Sequence, residues 1–129
     1  MTEKLEIYKC LECGNIVQVL ISGNGVLVCC GENMERLTPK YEENNELAEK
    51  HEPIFEENEN GKFVTLRNHP MSEEHYIQFI EVIAKDKSKF CLKYLNPNEP
   101  AEFDISDCKS DLEALEHCNI HGLWRSKND

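Results

Sequence analysis

Nowhere does the chain hold the roughly 20 consecutive apolar residues that a helix needs to cross a bilayer, so no membrane-spanning helix is expected. Its opening, MTEKLEIYKC, is charged and lacks the apolar centre of a secretory signal, from which a cytoplasmic location is expected. Positive charge is scarce too. Lys and Arg number 14 against 25 Asp and Glu, a net charge of −11, which argues against nucleic-acid and anionic-membrane partners because both demand clustered cations. Glycine (6) and proline (5) are not enriched and no repeat or low-complexity tract occurs, which excludes collagen-like and disordered chains.

Cysteine, in contrast, is abundant: seven occur in 129 residues. Without an export signal, an odd number of thiols is better read as metal ligands or reactive groups than as a disulfide framework. Four of them precede Thr38, and an acidic stretch within "LTPKYEENNELAEKHEP" follows, which divides the chain into modules 1–38 and 39–129. In the first, "NIVQVLISGNGVLVCCG" predicts a hairpin turning at Gly23-Asn24-Gly25, with residue 22 opposite 26 and Cys29 and Cys30 returning beside residues 18 and 19. In the second, "KFVTLRN", "HYIQFIEVIA", "KFCLKYL" and "AEFDI" predict short strands of an antiparallel sandwich or barrel. "SDLEALEHC" has helical composition, so a helical turn competes with strand there. Residues 41–59 are very acidic, with little apolar periodicity, and predict a long surface excursion.

Two constellations carry chemistry. Cys10-x-x-Cys13 followed by Cys29-Cys30 places four thiolates in a piece of about 38 residues, which could scarcely fold without a staple. They suit a tetrahedral S₄ site, for which iron and zinc both fit. The second set is His51, His69, His75, Cys118 and His121. Imidazole and thiolate are good ligands for first-row metals, and five donors fall one short of an octahedron. His69 and His75 would lie about 240° apart on a helix, and Pro70 favours extended backbone, so they must converge through a loop. Cys118 and His121 can meet through a tight turn, with Gly122 letting the chain leave it. Taken singly, each histidine is an ordinary polar residue; their joint placement makes the case. His117 is left as such a residue, Cys91 and Cys108 as small buried or half-buried side chains, and Trp124 as core with a secondary shielding role.

With "EKH", "NHPMSEEH" and "CNIHGLW", the pattern resembles desulfoferrodoxin, the two-iron form of superoxide reductase, over nearly the whole chain. The resemblance implies a mostly β protein: a desulforedoxin-like Fe(Cys)₄ hairpin module, then an immunoglobulin-like antiparallel β-sandwich. It implies two irons per chain, the second held by His51, His69, His75 and His121 in a plane with Cys118 axial. Glu49 would bind the oxidised iron as sixth ligand, and Lys50 would sit at the entrance and draw in an anion. The implied reaction is O₂•⁻ + e⁻ + 2H⁺ → H₂O₂, with electrons from rubredoxin or a similar donor, in a homodimer. A non-catalytic iron electron carrier and a zinc-stabilised binding module are the competing readings.

Overall fold

A computed structural model of the chain describes residues 1–41, 46–108 and 111–127. Internal packing divides it into two compact units, Met1–Thr38 and Pro39–Asp129.

The smaller unit is built on strand β1 (Ile7–Lys9), flanked on one side by β2 (Ile16–Gln18) and on the other by β5 (Glu35–Leu37), all antiparallel. Between them, β3 (Val28–Cys29) and β4 (Glu32–Asn33) form a separate hairpin. The pairing differs from the sequence expectation: β2 takes β1 as partner, and the tight turn is Cys30-Gly31, not Gly23-Asn24-Gly25. Both turn residues have positive φ, 54° and 77°, as the two-residue hairpin turn that matches strand twist requires. The physical reason lies in burial. Leu5, Ile7 and Cys10 supply the unit's buried positions, whereas Ile21, Val26 and Val28, which the expected hairpin would have aligned, stay exposed.

The larger unit is an antiparallel sandwich. One sheet has the order β10 (Glu102–Asp104), β7 (Gly61–Thr65), β6 (Ile54–Asn58); the other runs β12 (Gly122–Arg125), β11 (Leu112–Cys118), β8 (Ile77–Ala84), β9 (Phe90–Tyr94). Val64, Ile77, Ile80, Val82, Leu95, Ile105, Ala114 and Cys118 form the core between them. The competing helical reading of "LEALEHC" fails because this segment is a central strand, satisfying its backbone against β8 on one side and β12 on the other. The acidic stretch is also more ordered than a bare surface excursion: it contains helix α1 (Glu46–His51) and strand β6; residues 42–45 lie outside the described residues. The helix turns Ala48 and His51 inward and leaves Glu49 and Lys50 exposed, a one-sided pattern too short to register as periodicity in the sequence.

Candidate metal centres

In the smaller unit, Cys10 and Cys13 come from the turn after β1, and Cys29 and Cys30 from the β3–β4 hairpin. The four Sγ atoms lie within 4.8 Å of one another, and no cysteine is disulfide-bonded. Cys13 Sγ is 3.6 Å from Cys29 Sγ, which is 3.9 Å from Cys30 Sγ. A tetrahedron with metal–sulfur bonds of about 2.3 Å has edges of about 3.8 Å, so these separations suit four thiolates around one ion. The knuckle is held by Cys10 N donating to Asn15 O (2.9 Å) and Gly14 N to Cys10 O (2.9 Å). Without a cation the sulfurs oppose one another's charge. Backbone N–H groups, first that of Cys13, lower the Cys10 thiol to about 7, whereas the crowding sulfurs of Cys13 and Cys29 push Cys30 up to about 12. A bound metal ion relieves that conflict.

The larger unit gathers the second set from three places: His51 ends α1, His69 and His75 occupy the β7–β8 loop, and Cys118 and His121 flank the β11–β12 turn. The donor atoms of His51, His69, His75 and Cys118 lie within 4.8 Å of one another. His121 falls outside that set, its Nδ1 3.9 Å from Cys118 Sγ, yet its ring closes a square of imidazoles. Going round, ring centroids are separated by 4.6, 4.8, 5.0 and 4.8 Å, with neighbours steeply inclined; His51 and His75, at opposite corners, are 6.4 Å apart and nearly parallel.

Two carbonyls fix which nitrogens face the centre. His51 Nδ1 donates to Leu47 O and His69 Nδ1 to Pro70 O, each at 2.7 Å; both Nε2 lone pairs then point inward. These Nε2 atoms are 3.0 Å apart. Two bonds of about 2.1 Å at a right angle give about 3.0 Å, and at a tetrahedral angle about 3.4 Å, so the pair suits a square or octahedral ion. His75 Nε2 is buried with no hydrogen-bond partner, as a nitrogen reserved for a cation would be. Burial holds His51 and His75 below the ordinary imidazole range and His69 down at about 4, so all three are neutral donors at pH 7. Cys118 is buried, which raises its thiol, while the N–H groups of His121 and Ile120 lower it. The two donor sets fit two iron centres.

Among the surrounding residues, Asn119 and Lys40 are ones the sequence reading missed. Asn119 ties two ligand loops together: Tyr76 N donates to its Oδ1 (2.9 Å) and its Nδ2 to Glu74 O (3.1 Å). Asparagine in "CNIH", a residue given to bonding backbone in turns, was the available signal. Trp124 stacks on His51 at 4.9 Å and donates from Nε1 to His121 O. Lys40 Nζ reaches the same carbonyl at 3.0 Å and lies over the Trp124 ring; nothing in its sequence surroundings marked it. A bulge at His117/Cys118 seats Cys118 opposite Ile77, and Gly122 leaves the turn at φ 83°. Glu49 and Lys50 are exposed on α1 and outside the donor set; the Lys50 charge reaches His75 and contributes to its lowered value.

Family models match both parts of the chain: the desulfoferrodoxin N-terminal domain over residues 2–37 and the desulfoferrodoxin domain over residues 43–127. The chain belongs to the desulfoferrodoxin family. A desulfoferrodoxin homolog of Methanothermobacter thermautotrophicus is 46% identical over 128 residues, covering 96% of this chain and 99% of that one. The superoxide reductase of Pyrococcus furiosus is 28% identical over 108 residues, covering 62% and 87%. The crystal structure of the superoxide reductase from Treponema pallidum shares the fold at a TM-score of 0.69 and 24% identity, covering 98% of this chain and 100% of that one. The fold is thus mostly β with antiparallel sheets and an N-terminal four-cysteine group, as expected from the motifs.

Proposed function

We propose that the protein is a superoxide reductase whose catalytic iron is held in residues 39–129 by His51, His69, His75, His121 and Cys118, with residues 1–38 carrying an accessory Fe(Cys)₄ centre. One observation carries this reading: among the described residues, a closed square of four imidazoles beside a single buried thiol would supply an ion with five donors, one short of an octahedral set. Iron bound there supplies the electron and an acid position for the anion, and the net change is O₂•⁻ + e⁻ + 2H⁺ → H₂O₂.

The chain's own residues have distinct tasks. Lys50, exposed beside His51 and felt by His75, gives an acidic surface a local positive mouth for an anion. Glu49 would serve as a further carboxylate donor to such an ion, which requires it to swing inward from its exposed position on α1. Burial raises the Cys118 thiol, and the backbone N–H groups of His121 and Ile120 offset part of that rise, which would favour the thiolate that a bound ion requires. Electrons would come from an external donor such as rubredoxin, and Cys10, Cys13, Cys29 and Cys30 would hold an accessory iron with no free position for substrate. The chain works in the cytoplasm; among the described residues no helix is long and apolar enough to cross a membrane. It works as a homodimer, because the smaller unit exposes Leu11, Leu20, Ile21, Val26 and Val28 and gains by burying them against a second copy.

A pulse of superoxide on the reduced, iron-loaded protein tests this. Peroxide without dioxygen is expected; dioxygen in equal amount to peroxide would mean dismutation, and no reaction would leave an electron carrier. Metal analysis should find two irons per chain, and a lone zinc would end the proposal.

A further inference from the structure

Outside both donor sets, one more pair of thiols meets. Cys91 lies on β9, the edge strand of its sheet, and Cys108 follows β10 in the connection to β11. Their Sγ atoms are 3.5 Å apart, and both are free. The sequence reading placed both as buried or half-buried side chains; Cys91 is instead exposed, while Cys108 is half-buried against the core. Together with Lys89, Phe90, Asp107 and Leu112 they line a small cleft. Lys89 brings a positive charge towards Cys108, where burial nevertheless raises the thiol and keeps it protonated.

We propose that Cys91 and Cys108 form a peroxide-responsive dithiol, with Cys91 as the attacking thiol and Cys108 as the resolving one. The division follows from access: the thiol open to solvent meets the oxidant, and the half-buried neighbour waits beside it. The Cys91 thiolate attacks one oxygen of hydrogen peroxide, forming an S–O bond as the O–O bond breaks. Hydroxide leaves and takes up a proton, giving sulfenic acid. The Cys108 sulfur then displaces the hydroxyl of that acid, forming the S–S bond and a second water. Two thiols and one peroxide become one disulfide and two waters. Sulfur–sulfur closure asks for about 1.5 Å of approach, within reach of side-chain rotation from 3.5 Å. The product ties an edge strand to the crossover between the sheets. Peroxide as the oxidant's source inside the cell rests on the function proposed above; the thiol chemistry does not.

The test uses iron-loaded full-length protein with its thiols reduced, exposed anaerobically to a small excess of hydrogen peroxide, then alkylated, digested and weighed. Expected is a peptide pair joined through Cys91 and Cys108, two hydrogens lighter than the reduced pair and restored by a thiol reductant. Cys108→Ser should trap Cys91 as a sulfenic acid captured by dimedone. Cys91→Ser should slow oxidation at Cys108 by about tenfold or more, as loss of the accessible thiol implies. Full alkylation of both residues after treatment, or oxidation of Cys108 at an unchanged rate in Cys91→Ser, would overturn the proposal. Because the peroxide is added, a protein inert towards superoxide can still form the bridge, and an active one can fail to form it.

Discussion

Single side chains decide whether the ligands meet. Asn119 touches no candidate ion, yet it makes two hydrogen bonds to the segment bearing His75, and Ser72 closes that segment into a turn with His75 N and O. Asn119→Ala leaves the N–H of Tyr76 without its acceptor, a loss of about 1–3 kcal/mol. The variant should bind the second iron more weakly while keeping the first, as read by metal content after dialysis against a chelator; equal retention at both centres would remove the clamp. Lys50 acts differently, through its field. Lys50→Ala should slow superoxide association by up to about tenfold without altering the iron's spectrum. Raising the salt should slow the wild type more than the variant, and equal salt sensitivity in the two would dismiss the steering role.

At the scale of elements, hairpin geometry controls the first centre. The turn between β3 and β4 carries two adjacent left-handed residues, one of them the candidate ligand Cys30. A side chain at Gly31 costs about 1–2 kcal/mol at its φ of 77°. Gly31→Val should therefore let a chelator strip the four-cysteine ion several times faster, followed by loss of its visible absorption, while superoxide consumption persists; wild-type stripping rates would refute the dependence. What the sequence disclosed follows the same division. Cysteine and histidine are chemically distinctive, so "CLEC", "VCCG" and "CNIH" pointed to the candidate donors directly, and runs of β-branched and aromatic residues located β7 to β10. Pairing partners were hidden, because alternation gives a strand's period and not its neighbour: β2 joins β1 across a turn that also carries two candidate ligands. "LEALEHC" misled by composition, since Leu, Glu and Ala favour helix while the place between β8 and β12 demands a strand. Helix α1, only six residues long, had no room to display a period.

For the whole molecule, acid stability sets several opposing groups against one another, and the sign can be worked out. In the metal-free protein, burial lowers His51, His69 and His75 below the ordinary value of 6.5, His69 to about 4. Below pH 6.5 the unfolded chain therefore takes up protons that the folded one refuses, so stability is complete above that pH and lost as it falls towards 4. Each proton of difference changes stability by up to about 1.4 kcal/mol per pH unit. Buried Glu116 pulls the other way: burial raises its carboxyl well above the usual range, and the folded state holds a proton there that the unfolded one gives up. His69, held down at about 4, and the lowered His51 and His75 oppose that one carboxyl. Relief of the repulsion within a net charge of −11 also opposes the histidines, but ordinary carboxylates protonate mainly below about pH 4.5, leaving the range between 6.5 and 5 to them. Thermal midpoints of the metal-free protein should thus fall steadily from pH 6.5 to 5. Iron-loaded protein should fall less over the same range, because the ion occupies the lone pairs that protons seek and acid must first displace it. Parallel curves for the two forms would mean that the imidazoles are not the groups that bind the ion.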